Sequence, residues 1–227
     1  MPPADLAVLI PAYNCAASIA AVVAAARPHV DRVVVVDDGS TDDTAEPARG
    51  AGAEVLCQAV NRGKGAALRA GMDWLSERGY ARALTMDGDG QHLGSEIPVL
   101  LAASQETPHA LILGARQIGA QEVKAVKLFG NRFANRWVEI ACGMALPDTQ
   151  SGFRVYPLLE TRSLGATAER FAFETEVLIR AARAGLEIRS VPVRVYYPPA
   201  AERVSHYRPW ADTLRIIAVV IRLILRR

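Results

Sequence analysis

Cysteine, net charge and long apolar runs are all scarce in this sequence, and each scarcity excludes something. Three cysteines, Cys15, Cys57 and Cys142, are odd in number and far apart. That excludes a disulfide framework and a Cys-x-x-Cys metal knuckle, and it fits a reducing compartment. Met1 to Leu6 contains Pro and Asp and lacks the basic start and long apolar core of a secretion signal, so a cytoplasmic chain is expected. Near the other end, Ile216 to Leu225 is apolar except for Arg222, well short of the roughly twenty residues needed to cross a bilayer. The 26 basic and 24 acidic residues leave a net charge of only +2, so no nucleic-acid partner is expected. The small excess is local, because residues 203–227 carry six Arg against one Asp while the rest of the chain is net acidic.

What the chain does have is material for one sizeable core. At 227 residues, 51% hydrophobic and 22% charged, it is too apolar for disorder, and 17 Gly with 13 Pro are too few for a fibrous protein. Short β-rich runs at Leu6–Ile10, Val33–Val36, Glu54–Cys57, Ala83–Met86 and Leu111–Leu113 alternate with helix-length stretches near 17–26, 42–50, 64–78 and 95–103. That alternation predicts an α/β fold with a mostly parallel sheet and right-handed crossovers. Asn14, Thr41 and Ser95 are the expected helix caps. After about residue 116 the rhythm changes to a long helix over 123–142, a short segment over 153–156, a helix over 173–184 and a last strand over 187–195. With no linker or repeat, residues 1–202 read as a single domain. Its nucleotide-binding half covers about 1–116 and its acceptor half about 117–202, and a basic amphipathic tail over 203–227 follows.

In open α/β sheets ligands bind beyond the carboxyl ends of the strands, and three of the first four strands end there in polar residues. Pro11-Ala12-Tyr13-Asn14 follows the first, Asp37-Asp38-Gly39-Ser40 the second and Asp87-Gly88-Asp89-Gly90-Gln91 the fourth. Asp87 and Asp89 form a pair of carboxylates separated by Gly88, a residue small enough to leave room for a ligand. Such a pair suits Mg²⁺ or Mn²⁺, which take oxygen ligands and complete their shell with water and substrate phosphates, and Gln91 would add a carbonyl oxygen. His92 is expected to line the site or lie at the surface rather than ligate. No GxxxxGK[ST] and no GxGxxG after the first strand is present, which disfavours a P-loop ATPase and a nicotinamide enzyme.

Four segments, in this order and spacing, resemble family 2 glycosyltransferases of the GT-A fold: Pro11-Ala12-Tyr13-Asn14, Val35 to Thr44, Asn61 to Leu68 around Gly63-Lys64-Gly65, and Asp87 to His92. The resemblance runs from Leu6 to about Val195. Within the family, Asp148-Thr149-Gln150-Ser151-Gly152-Phe153-Arg154 is most similar to the dolichyl- or polyprenyl-phosphate sugar synthase branch. The resemblance implies a nucleotide-sugar donor, a UDP- or GDP-sugar, whose base and ribose are held by Pro11, Tyr13 and Asp38 with Asn14 in the same loop. Asp37 is expected to brace the turn. Lys64, opening a helix after Gly63, would lie near the donor's diphosphate, where helix dipole and ammonium both favour an anion. The branch implies arginines at Arg116, Arg132 and Arg203 for the diphosphate and the acceptor phosphate. Arg154 joins them as a residue suited to bidentate phosphate recognition, and Arg116 is favoured. Asp148 and Glu174 would be either a general base or structural partners of an arginine. A hydroxyl acceptor needs such a base, whereas a phosphate acceptor, already anionic, needs none.

The resulting expectation is a metal-dependent, inverting hexosyltransferase acting on a lipid acceptor, polyprenyl phosphate. Asp89, Asp148 and Arg116 stand at its catalytic centre, and Arg132, Arg154, Glu174 and Arg203 face the acceptor. Leu214 to Arg227 places Arg215, Arg222 and Arg226 near one helical face with Ile, Leu and Val around them. That pattern predicts peripheral contact with the inner face of the membrane, or a core or oligomer-interface helix. Transfer to a hydroxylated lipid or glycan, a catalytically silent nucleotide-sugar binder on the membrane, and assembly as a homo-oligomer stay open. The Arg-x-x-Gly-x-Ser segment common in the branch is not matched by Arg203-Val204-Ser205-His206-Tyr207-Arg208.

Overall fold

A computed structural model describes residues 5–117, 136–197 and 209–225. Seven strands form one sheet: β1 (Leu6–Ala12), β2 (Val33–Asp37), β3 (Glu54–Cys57), β4 (Arg82–Thr85), β5 (Leu111–Arg116), β6 (Arg154–Pro157) and β7 (Ile188–Val193). Their order across the sheet is β3-β2-β1-β4-β6-β5-β7. All neighbouring pairs are parallel except those made by β6, which is antiparallel to both β4 and β5. The short segment expected over 153–156 is this reversed strand. Its direction follows from the route of the chain: β5 ends at the carboxyl rim, and the chain re-enters the sheet from that same rim at Arg154, opposite Thr85.

The helices are α1 (Ile19–Ala26), α2 (Ala45–Gly50), α3 (Lys64–Glu77), α4 (Ile97–Glu106), α5 (helical over 136–142), α6 (Leu158–Ser163), α7 (Ala172–Arg183) and α8 (Pro209–Leu225). Alternation along β1 sends Leu6, Val8 and Ile10 to one face, where α1 packs through Ile19, Val22, Val23 and Ala26. It sends Ala7 and Leu9 to the other, against Leu68, Met72 and Leu75 of α3 and Val177 and Leu178 of α7. Both faces are thus covered, as near-continuous apolar strands such as β2 require. Gly71 of α3 lets the helix approach β1 closely, since a Cβ there would lie 2.3 Å from Leu9 Cδ1.

Neither Asn14 nor Thr41 caps a helix. The first helix begins after Ser18 and the second after Thr44, and α4 follows Glu96 rather than Ser95. The expected helix over 123–142 is described only over 136–142.

Candidate active site

The rim loops are stitched to one another before any ligand is considered. Asn14, with φ of 50°, donates its backbone N–H to Ser40 Oγ at 2.9 Å, and its Oδ1 accepts from Thr41 N at 2.8 Å. Asp37 braces its own turn by accepting from Ser40 N at 2.9 Å. Gly39 has φ of 68°, and a Cβ there would lie 2.6 Å from Asn61 N, so the second rim loop closes on the loop before α3 only with glycine. Pro11 is buried in β1, and Tyr13 stands half-buried just past its end.

Asp38 lies just past the end of β2. Its carboxylate, 3% exposed, accepts from Arg62 N at 2.8 Å and Gly63 N at 2.7 Å. Burial raises its pKa despite these two amides. With one amide on each oxygen, Asp38 ties its loop to the N-terminus of α3.

The acidic cluster forms around Lys64. Its Nζ lies 2.6 Å from Asp87 Oδ1 and 3.1 Å from Glu174 Oε2. Burial disfavours the charge of Lys64, but the two carboxylates outweigh it and raise its pKa. Asp87 is likewise held below the usual carboxylate range, its burial outweighed by the ammonium. Asp89 behaves oppositely: burial, then the charge of Asp87, push it up to about 6. Its oxygens accept from Gln91 N at 3.0 Å and Gln91 Nε2 at 2.9 Å, so the amide end of Gln91 faces Asp89. Gly88 sits between the two acids, its carbonyl accepting from Ser18 Oγ at 2.6 Å. Glu174 is 5% exposed, and its Oε1 is buried without a hydrogen-bond partner.

Two carboxylates, Asp87 and Glu174, thus share one ammonium, Asp89 is the third acid of the cluster, and one buried oxygen is unsatisfied. That is the charge deficit a hard divalent cation would fill. Among the described residues no group of three or more His, Cys, Asp or Glu is disposed to hold a metal. The residues present fit an ion that draws part of its shell from substrate phosphate rather than one caged by protein.

His92 is neither ligand nor surface residue. It is 7% exposed, stacks on Phe153 with ring centroids 4.8 Å apart, and its Nδ1 accepts from Asp87 N at 3.0 Å. Burial holds its pKa down at about 4. It is a neutral post under the acidic loop.

At the end of β5, Arg116 and Asp148 form a bidentate pair. Nε donates to Oδ2 at 2.6 Å and Nη2 to Oδ1 at 3.0 Å, while Arg116 N and Gln150 N add two more bonds to the same carboxylate. Burial opposes the charge of Asp148, and Arg116 outweighs it and lowers its pKa. The Asp148 carboxylate is thus paired with an arginine side chain.

Arg154 opens β6. It is 0% exposed and donates to the backbone carbonyls of Ser151, Glu174 and Thr149 at 2.7, 2.9 and 2.8 Å. It ties the loop before β6 to α7. The carboxylate of Glu174 pairs with Lys64, while its backbone carbonyl accepts from the Arg154 guanidinium. Arg132 and Arg203 lie outside the described residues.

Two residues with a structural claim on the site were not singled out from sequence. A Cβ on Gly152 would lie 2.7 Å from Lys64 Nζ and 3.0 Å from Asp87 Oδ1, so its missing side chain makes room for the ion pair. Arg170, with φ of 51°, lays its side chain over Gly63 and sends its charge toward Asp38. Gly152 stood within the Ser-Gly-Phe-Arg motif, which was the available signal. Arg170 carried none.

Comparison with known proteins places this rim in a family. The chain is 32% identical to the glycosyltransferase AglJ of Haloferax volcanii over 87% of its length, and it spans 65% of that protein. It is 32% identical to an undecaprenyl-phosphate mannosyltransferase of Micrococcus luteus, over 82% of this chain and 81% of that one. Glucosyl-3-phosphoglycerate synthase from Mycobacterium tuberculosis, solved with Mn²⁺, uridine diphosphate and glucosyl-3-phosphoglycerate, superposes with a TM-score of 0.71 at 25% identity, over 96% of this chain and 79% of that one. Residues 7–154, from β1 to the start of β6, match the family described as Glycosyl transferase family 2, and the chain belongs to that family as a glycosyltransferase of the GT-A fold.

Proposed function

We propose that this glycosyltransferase moves a sugar from a UDP- or GDP-sugar to polyprenyl phosphate, with inversion at the anomeric carbon. The observation that carries the choice of acceptor is the Arg116–Asp148 pair. A carboxylate tied by four hydrogen bonds, with its pKa lowered, is a poor proton acceptor, and Glu174 is held by Lys64. A phosphate acceptor attacks without losing a proton, so it asks for cationic orientation rather than a base. Arg116, fixed by Asp148, supplies a positioned guanidinium at the end of β5. The similarity to the undecaprenyl-phosphate mannosyltransferase supports the same acceptor class.

Tyr13 and Pro11 flank the donor side, and Lys64 at the start of α3 faces the diphosphate. Asp87 and Asp89, with Gln91, would hold Mg²⁺ or Mn²⁺, whose chemistry is to neutralise charge on the departing nucleoside diphosphate. The apolar outward side of α8 supports peripheral contact with the membrane that carries the acceptor. Among the described residues no helix is long and apolar enough to cross a membrane.

The deciding assay offers UDP- and GDP-sugars with Mn²⁺ to two acceptors, a polyprenyl phosphate and the matching polyprenol. Glycosylation of the phosphate alone is expected. Transfer to the polyprenol and none to the phosphate overturns the proposal and restores the need for a base.

A further inference from the structure

We propose that Lys64 is a latch on the cation site: its ammonium and a divalent cation compete for Asp87, so the cation binds tightly only after the donor's diphosphate has drawn Lys64 away. The inference rests on the reading of Asp87 as a cation ligand.

The geometry is built for exchange. Lys64 is the first residue of α3, so its root is fixed by the helix and only its side-chain torsions must change. Nζ reaches Asp87 Oδ1 at 2.6 Å from a side chain 13% exposed. Gly152 leaves the space it occupies, and the Phe171 ring lies with its centroid 5.6 Å from Nζ. An ammonium on that oxygen and a divalent cation on the same carboxylate would be like charges a few ångströms apart in a poorly solvated site, which sets the two in competition. Glu174 gives the ammonium a second anchor at 3.1 Å. Because Glu174 Oε1 is buried and unpartnered, that carboxylate has capacity to keep hold of Lys64 as it turns from Asp87 toward an incoming phosphate.

The functional consequence is an order of events. A cation alone meets a site already neutralised, whereas a donor diphosphate offers Lys64 a replacement anion and frees Asp87. Linkage then requires the cation to raise nucleotide affinity by the factor by which the nucleotide raises cation affinity. Such coupling keeps the site from holding metal without substrate.

The test is Mn²⁺ binding to the whole chain, followed by calorimetry and by the paramagnetic resonance of free Mn²⁺, with and without UDP or GDP. Wild type should bind weakly alone and more tightly with whichever nucleotide it accepts. Lys64→Gln removes the charge but can still hydrogen-bond both carboxylates; without nucleotide it should bind Mn²⁺ about tenfold more tightly than wild type, and the nucleotide should add less. Lys64→Arg keeps the charge and should stay as weak as wild type. Arg170→Gln removes a cation of the same rim that is not paired with Asp87 and should change affinity by no more than about twofold.

A Lys64→Gln protein no tighter than wild type overturns the latch, and so does an equal gain in Arg170→Gln, which would reduce the effect to general charge. If the neutral variant does not fold, the wild type decides. Saturating Mn²⁺ alone should increase acetylation of Lys64 by an amine reagent, read by peptide mass spectrometry, and unchanged labelling overturns the competition. Failure of the wild type to bind Mn²⁺ with either nucleotide would refute the cation reading itself, a result distinct from failure of the latch.

Discussion

Asp89 is the side chain on which the residue-scale reading turns. Its carboxylate is made unwelcome by burial and by Asp87, an arrangement that a fold has no reason to keep for stability. Asp89→Asn should therefore lower activity by about 100-fold or more while leaving the melting temperature unchanged or raised, as enzyme assay and thermal denaturation would show together. Gly152→Ala makes the complementary case. The intruding methyl meets the far end of Lys64 at 2.7 Å, a flexible atom that can move, so the variant should fold normally and lose about tenfold in activity through a displaced ion pair. His92 predicts a pH effect of definite sign. Its folded pKa near 4 lies below the unfolded value near 6.5, so the unfolded state binds the extra proton, and stability falls as pH drops through that window. In His92→Gln that contribution is gone. The stability advantage of wild type over the variant should shrink by about 2 kcal/mol between pH 7 and pH 5 in urea titrations; a constant gap would mean that His92 is not neutral in the fold. Measuring the difference between the two proteins matters, because Asp89 titrates in the same range with the opposite slope. Of these residues the acids were readable from sequence, since residue type and position past a strand carry the signal. The backbone partners of Asp38 and Arg154 were not, because the amides on Asp38 come from the loop before α3 and one carbonyl on Arg154 comes from α7, contacts that only the folded chain brings within reach.

At the level of elements, the loop from Asp148 to Arg154 and the strand it feeds join the two halves of the site. Arg154 lies at the sheet position opposite Thr85 and binds three carbonyls, one of them Glu174 O on α7, so β4, the loop and α7 share one buried cation. Arg154→Met removes the charge but strands those carbonyls. It should destabilise the fold by about 3 kcal/mol and reduce activity only as the folded fraction falls; a normally stable protein with weakened acceptor affinity would return Arg154 to the phosphate. The alternating strands and helices up to Arg116 were legible because β1 and β2 are apolar runs and the short β-prone segments of β3, β4 and β5 follow at helix-length intervals. The reversal of β6 was not, because four residues of β-prone sequence look the same in either direction and only the route of the chain along the rim decides it. Caps failed for a related reason: Asn14 and Thr41 are bonded to each other across two loops, a tertiary pairing that competes with local capping.

For the molecule as a whole, the amphipathic tail resolves into a helix with two unlike sides. One side of α8 is core: Val219, Val220 and Leu223 are at most 8% exposed, Arg222 pairs with Glu176 of α7 at 3.2 Å, and Leu223 O accepts from Arg183 at 2.5 Å. The other side exposes Leu214, Ile217, Ile221 and Leu225 at 63, 38, 49 and 78%, spaced three and four residues apart as one stripe of a helix requires. Among the described residues Arg215 and Arg222 are already paired with Asp212 and Glu176; Arg226 lies outside the described residues, and the apolar stripe is the exposed feature of α8 that would meet a membrane. Full burial of a Leu or Ile is worth about 1.5–3 kcal/mol, so even partial insertion of two such residues amounts to tenfold or more in binding. Leu214→Ser combined with Ile221→Ser should leave the melting temperature close to that of wild type and weaken sedimentation with anionic vesicles by about tenfold or more. Val220→Ser, on the inward side, should do the reverse, lowering stability while the folded protein still binds vesicles. Equal vesicle binding by the double variant and wild type would leave the stripe to a second copy of the chain, which a concentration-dependent sedimentation coefficient, abolished by the same two substitutions, would show.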